Sequence, residues 1–61
     1  MSPTAARANR LMELTKMVEM LNKKGKTGEQ IMKAVRERAH QMACDSTAED
    51  YISEIIRRFK K

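Results

Sequence analysis

The chain is poor in the residues that hold very small proteins together. Its 61 residues include one cysteine, Cys44, and one histidine, His40. No disulfide can close within a single chain, and one Cys with one His cannot make a four-ligand zinc site without a second subunit. Aromatic residues are limited to Tyr51 and Phe59. Proteins that grip single-stranded nucleic acid usually stack bases on several rings, which disfavours that partner. The only proline is Pro3, and the only glycines are Gly25 and Gly28. Strand signals are missing, and so is a glycine loop able to cradle phosphates. There is no apolar run of membrane length and no signal peptide. Together with the unpaired cysteine, this sets the expectation of a reducing, cytoplasmic setting with no membrane partner.

Catalytic constellations are missing too. No Ser–His–Asp spacing or carboxylate pair in an apolar context is present. His40 and Cys44 stand four residues apart, within reach on a helix. A Cys–His nucleophile needs a pocket, however, and a chain this short has little room for one. Neither enzyme activity nor a cofactor is expected. Cys44 reads as a small packed residue beside a helix start, which can lower a thiol pKa.

What the chain has is charge and helical periodicity. Thirteen Lys and Arg outweigh eight Asp and Glu, for a net charge of +5. Such an excess suits a polyanionic partner, and it also keeps a small domain soluble. A monomer of this size buries only about 60% of its unfolded surface, so regular helix packing or a second subunit has to compensate.

The pattern predicts an all-α fold in which residues 1–61 form a single three-helix domain. Ser2-Pro3 reads as an N-cap with proline at the first helical position, and helix one is expected over 3–24, stopped by Gly25. Leu11, Leu14, Val18 and Leu21 recur at spacings of three and four, with Met17 widening the stripe. Arg7 and Arg10 occupy the same face upstream, so the first two turns are expected to project beyond the core. Thr27-Gly28-Glu29-Gln30 is a capping box that opens helix two, expected over 28–43. Its inner stripe is Ile31, Ala34, Val35, Ala39 and Met42. Arg38 projects near that stripe, to pair with an acid at the rim or to reach a phosphate. Glu29 and Lys33 are spaced as an i,i+4 ion pair, and His40 falls on the polar side as a solvated residue.

Helix three is expected over 47–60. Ser46–Glu49 and Thr47–Asp50 are overlapping capping boxes, with acids in the first turn and Arg57, Arg58, Lys60 and Lys61 at the end, where they complement the helix dipole. Ala48, Tyr51, Ile52, Ile55, Ile56 and Phe59 make a wide stripe expected to be buried. Ser46, Asp50, Ser53, Glu54, Arg57 and Lys61 then face outward.

Thr27, Glu29 and Ile31 open helix two, and Ser46, Thr47, Tyr51 and Ile52 open helix three. Over about residues 26–59 this layout resembles the tri-helical core of small helix-turn-helix and winged-helix DNA-binding domains, without a wing. The resemblance implies that helices two and three form a helix-turn-helix-like pair, with helix three entering the major groove of double-stranded DNA. On that reading Lys23, Lys24, Lys26, Lys33, Arg36, Arg57, Arg58 and Lys61 neutralise phosphates, while Ser46, Thr47, Asp50 and Ser53 lie near base edges. Asp50 and Glu54 would meet phosphates unfavourably. The length of helix one, with Met12 and Met20 off its main stripe, suggests a homodimer formed through it. A small transcriptional regulator is therefore the expected function. The alternatives are a helical protein-interaction module, such as a dimeric adaptor or antitoxin-like partner, and an RNA-binding helical dimer.

Overall fold

Two local devices separate the first helix from the second. The computed structural model describes residues 3–59, and over that range the chain forms α1 (Pro3–Lys23), α2 (Gly28–Met42) and α3 (Asp45–Phe59), with no strand. The Ser2 cap expected before α1 lies outside the described residues, as do Lys60 and Lys61. At the end of α1 the amide of Lys26 donates to the carbonyl of Leu21 and that of Gly25 to Asn22, both at 3.1 Å. This is a Schellman motif, and it requires the left-handed φ of 81° that Gly25 adopts. Two residues later the Thr27 hydroxyl accepts from the Gln30 amide at 3.2 Å, while the Gln30 side chain accepts from the Thr27 amide at 3.1 Å. The capping box read from the sequence is formed.

The second turn works without glycine. Ala43 is fully extended, with φ −154° and ψ 163°, and its amide still donates to Ala39 at 3.1 Å. Cys44 then accepts the first bond of α3 from the Ala48 amide at 2.8 Å. The helix therefore starts earlier than expected, and Cys44 stands at its cap. Neither overlapping capping box forms. Glu49 turns toward α2 and Asp50 toward α1, where cationic partners are available, so tertiary pairing outcompetes the local cap.

The core is one cluster drawn from all three helices. Leu11, Leu14 and Val18 come from α1, Ile31, Val35 and Ala39 from α2, and Ala48, Tyr51, Ile52 and Ile55 from α3. Met17, Leu21, Met32 and Met42 pack half-buried at its edge. The spacings of three and four thus select the packing faces correctly, although Ala34, Leu21 and Met42 are only partly covered. Ile56 and Phe59 depart from the expected stripe, remaining 40% and 45% exposed. Both line an open notch whose other walls are Val18, Glu19, Asn22, Gly28, Ile31, Met32 and Ile55, and no described side chain closes over it.

The first turns of α1 do not project freely. Ala5 and Ala6 are half-buried. Arg10 donates to the hydroxyl of the buried Tyr51 at 3.3 Å, and Arg7 lies 3.9 Å from Asp50. These two arginines lay the start of α1 along α3.

Candidate nucleic-acid interface

The helices run up, down and up, so the bundle has two distinct ends. One holds the α1–α2 turn and the last turns of α3, as shown by Gly28 and Phe59 lining the same cavity. The other holds the α2–α3 turn and the start of α1. A 15-residue helix such as α3 spans roughly 22 Å at about 1.5 Å per residue. The expected contact residues divide between these ends. Lys23, Lys24 and Lys26 are exposed around the α1–α2 turn, with Arg57 and Arg58 on α3 toward that end. Ser46, Thr47 and Asp50 lie at the opposite end, and Lys33, Arg36 and Ser53 lie between. Lys61 lies outside the described residues.

Arginines and lysines have separate uses. Each described arginine has a partner. The Arg36 guanidinium donates to both Glu49 oxygens, at 3.0 and 3.2 Å, and so joins α2 to α3. Arg38 meets Glu13 at 3.1 Å and joins α2 to α1, which makes it the rim pair with an acid. Arg57 and Arg58 share Glu54 at 3.5 and 3.7 Å, and Arg58 also donates to Thr15 at 3.4 Å. Lys16, Lys23, Lys24, Lys26 and Lys33, by contrast, are exposed and make no ion pair among the described residues. The spacing of Glu29 and Lys33 therefore does not produce a bridge. The division follows from chemistry: the planar guanidinium suits fixed two-point contacts between helices, while the ammonium is a strongly hydrated point charge.

His40 is not simply solvated. Its Nδ1 lies 3.1 Å from Asp45 and its Nε2 3.0 Å from Glu49, so the ring bridges α2 to the first turn of α3. The His40 hydrogen bond, followed by the Arg36 guanidinium, holds the Glu49 carboxyl below its usual range. Asp45, Glu49 and Asp50 are the acids that would repel phosphates near the start of α3, and each has a cationic or ionisable partner. Sequence reasoning missed the bridge because its members are five and nine residues apart across a turn, a spacing with no helical signature.

Ser46 and Ser53 stay exposed, while Thr47 is half-buried and occupied locally. Its hydroxyl lies 3.3 Å from Cys44 Sγ, and that of Ser46 lies 3.7 Å away. The hydrogen bonds from Thr47, then Ser46, lower the exposed Cys44 thiol to about 7. Both ring nitrogens of His40 face carboxylates and not the sulfur, so no Cys–His couple forms. Among the described residues no group of three or more His, Cys, Asp or Glu is placed to hold a metal ion, and no helix is long and apolar enough to cross a membrane. Compared with protein-family models, with curated proteins and with solved structures, the chain matches none.

Proposed function

We propose that this chain is a small DNA-binding module, a transcriptional regulator in its expected role, that holds the duplex mainly through its phosphates. The observation that carries the reading is the set of lysines with no task inside the fold. Lys23, Lys24, Lys26 and Lys33 are exposed and unpaired among the described residues. Ammonium groups of this kind displace counterions from a duplex without needing a particular base. The pairing of Glu49 with Arg36 and of Asp50 with Arg7 supports the reading further, because each guanidinium offsets an acid near the start of α3. Base contacts would fall to Ser46 and Ser53, the outward groups on α3 that remain available. Arg36, bound to Glu49, contributes to the fold before it contributes to a phosphate. A second copy joined along α1, where Met12 and Met20 are exposed, would set two such surfaces side by side.

The test is binding of mixed-sequence duplex DNA, followed by fluorescence anisotropy at two salt concentrations, with molar mass measured in parallel. Four phosphate contacts imply a loss of about a hundredfold between about 50 and about 200 mM salt. Changing Lys23, Lys24, Lys26 and Lys33 together to Ala should remove most of the binding while leaving the helical circular dichroism intact. A binding curve indifferent to salt, or unchanged by the four substitutions, rules the reading out. Tighter binding to duplex RNA would replace DNA by RNA as the partner. A single-chain mass at working concentration would remove the second copy from the scheme.

A further inference from the structure

The lysine-bearing end of the bundle also holds an unfilled apolar notch. It is floored by Val18, Ile31 and Ile55 and flanked by Met32, Ile56 and Phe59, with a volume of about 340 Å³. Three of these side chains belong to the core, so the notch opens the core to solvent at one place. Phe59 is one of two aromatic residues in the chain and stands 45% exposed at its edge. The polar groups of the lining are Glu19 and Asn22. That is a thin set of polar groups for orienting a small molecule, whose sites usually combine an apolar wall with several convergent polar groups. An extended apolar lip beside helix faces suits a helix laid into a groove, with side chains anchored at spacings of three or four.

We infer that this notch is a docking site for an acidic amphipathic helix of another protein. The charges around it decide the occupant. Lys23, Lys24 and Lys26 are exposed on the turn between Asn22 and Gly28 of the lining, Lys16 lines a neighbouring hollow, and none of the four makes an ion pair among the described residues. Arg58 lies along the same α1–α3 seam, in a second hollow that shares Glu19 with the notch. Glu19 is the one acid of the lining, and Glu54, outside it, is taken by Arg57 and Arg58. Two copies of a +5 chain meeting notch to notch would bring their lysines together with only Glu19 to offset them, and like charges so placed oppose association. A helix with leucines on one face and carboxylates on the flanks fills the notch and meets the lysines of the adjoining turn. The inference shares Lys23, Lys24 and Lys26 with the DNA reading, whereas its apolar contacts at Met32, Ile56 and Phe59 have no part in phosphate binding, so the amides of these three residues distinguish the two.

The full 61-residue chain, labelled with ¹⁵N, tests it against synthetic peptides of about four helical turns. The probe carries Leu at spacings of three and four and Glu elsewhere. One control replaces Glu by Lys, and another replaces Leu by Ser. The acidic amphipathic peptide should shift the amides of Met32, Ile56 and Phe59, and both controls should leave them in place. Phe59→Ala should weaken the interaction about tenfold, as expected for a central aromatic anchor. Ile56→Ser and Lys16→Glu give independent reductions, and thermal unfolding confirms that each variant folds. Three results overturn the inference: no shift at these amides with peptide in excess, equal binding of the Leu-free acidic peptide, or shifts of the same amides with protein concentration alone, which would make a second copy the occupant.

Discussion

The two ends of the bundle are built on opposite plans. At the α2–α3 end, Arg36, His40, Asp45 and Glu49 are tied together across the turn, while Arg7 and Arg10 tie α1 to Asp50 and Tyr51. At the α1–α2 end the lysines have no partners among the described residues, and the core ends in an open notch. Both ends carry charged groups in quantity, so composition does not separate them. The difference lies in the kind of cation: arginines are paired at both ends, Arg57 and Arg58 with Glu54 included, and the lysines are not. Side chains fixed by internal bonds stabilise the fold and are poorly placed to bind anything else. Unpaired lysines beside an open apolar lip contribute little to folding and are free to meet a partner.

The sharpest contrast to measure is between the floor and the lip of the notch. Ile55 is 1% exposed and Phe59 is 45% exposed, one turn further along the same helix. Ile55→Ala should cost about 2–5 kcal/mol, the usual range for removing a buried aliphatic side chain. Phe59→Ala should cost about 1 kcal/mol or less, as partly exposed positions do. Urea denaturation of the two variants gives the comparison directly. Equal losses would mean that Phe59 packs as core and that the notch is closed in solution.

Much of this plan was legible in the sequence, and the exceptions share a cause. The Thr27–Gln30 capping box, the Gly25 stop and the stripes on all three helices depend on residues within four positions of one another, and periodicity reads such features well. Periodicity also shows which face of α3 turns inward, but not whether a neighbour reaches far enough to cover it, hence the exposure of Ile56 and Phe59. The early start of α3 escaped notice because Glu49 and Asp50 had two competing uses, a local cap or a partner on another helix. Only the placement of Arg36, His40 and Arg7 decides between them. The candidate interface was legible as a list of cations, yet its division into occupied arginines and available lysines depends on contacts between helices.

A smaller effect is expected at the turn beside the lysines. Gly25→Ala meets no atom within 4 Å, yet the residue would have to keep a φ of 81°. A left-handed residue with a Cβ costs about 1–2 kcal/mol, and thermal unfolding should register that loss without any change of fold. No loss would mean that the Schellman turn rearranges freely, and the lysines would then have no fixed positions.

The tied end should reveal itself through pH. The folded Glu49 carboxyl titrates below its unfolded value, so its contribution is complete above the unfolded pKa of about 4.3 and is lost as pH falls through the folded one. Glu49→Gln should therefore separate from the parent protein near neutral pH and converge with it in acid, as read from urea midpoints. A difference that does not change with pH would assign the contribution to packing and not to charge.

The smallest expected effect is kinetic and local. Alkylation of Cys44 should reach half its maximal rate near the pKa of about 7, and Thr47→Val should move that midpoint upward, toward the ordinary 9.0. An unmoved midpoint would detach the thiol from the Thr47 hydroxyl.

The short turns that join α1 to α2 and α2 to α3 also bear on the speed of folding. Neighbouring helices in the chain are neighbours in space, and α2 packs against both of the others. Little loop entropy is lost before contacts form, and helical domains of such local topology fold in roughly microseconds to milliseconds. Either hairpin can form before the third helix docks. The α1–α3 seam joins the parts of the chain most distant in sequence, so its contacts carry the largest loop-closure cost of the three helix pairs.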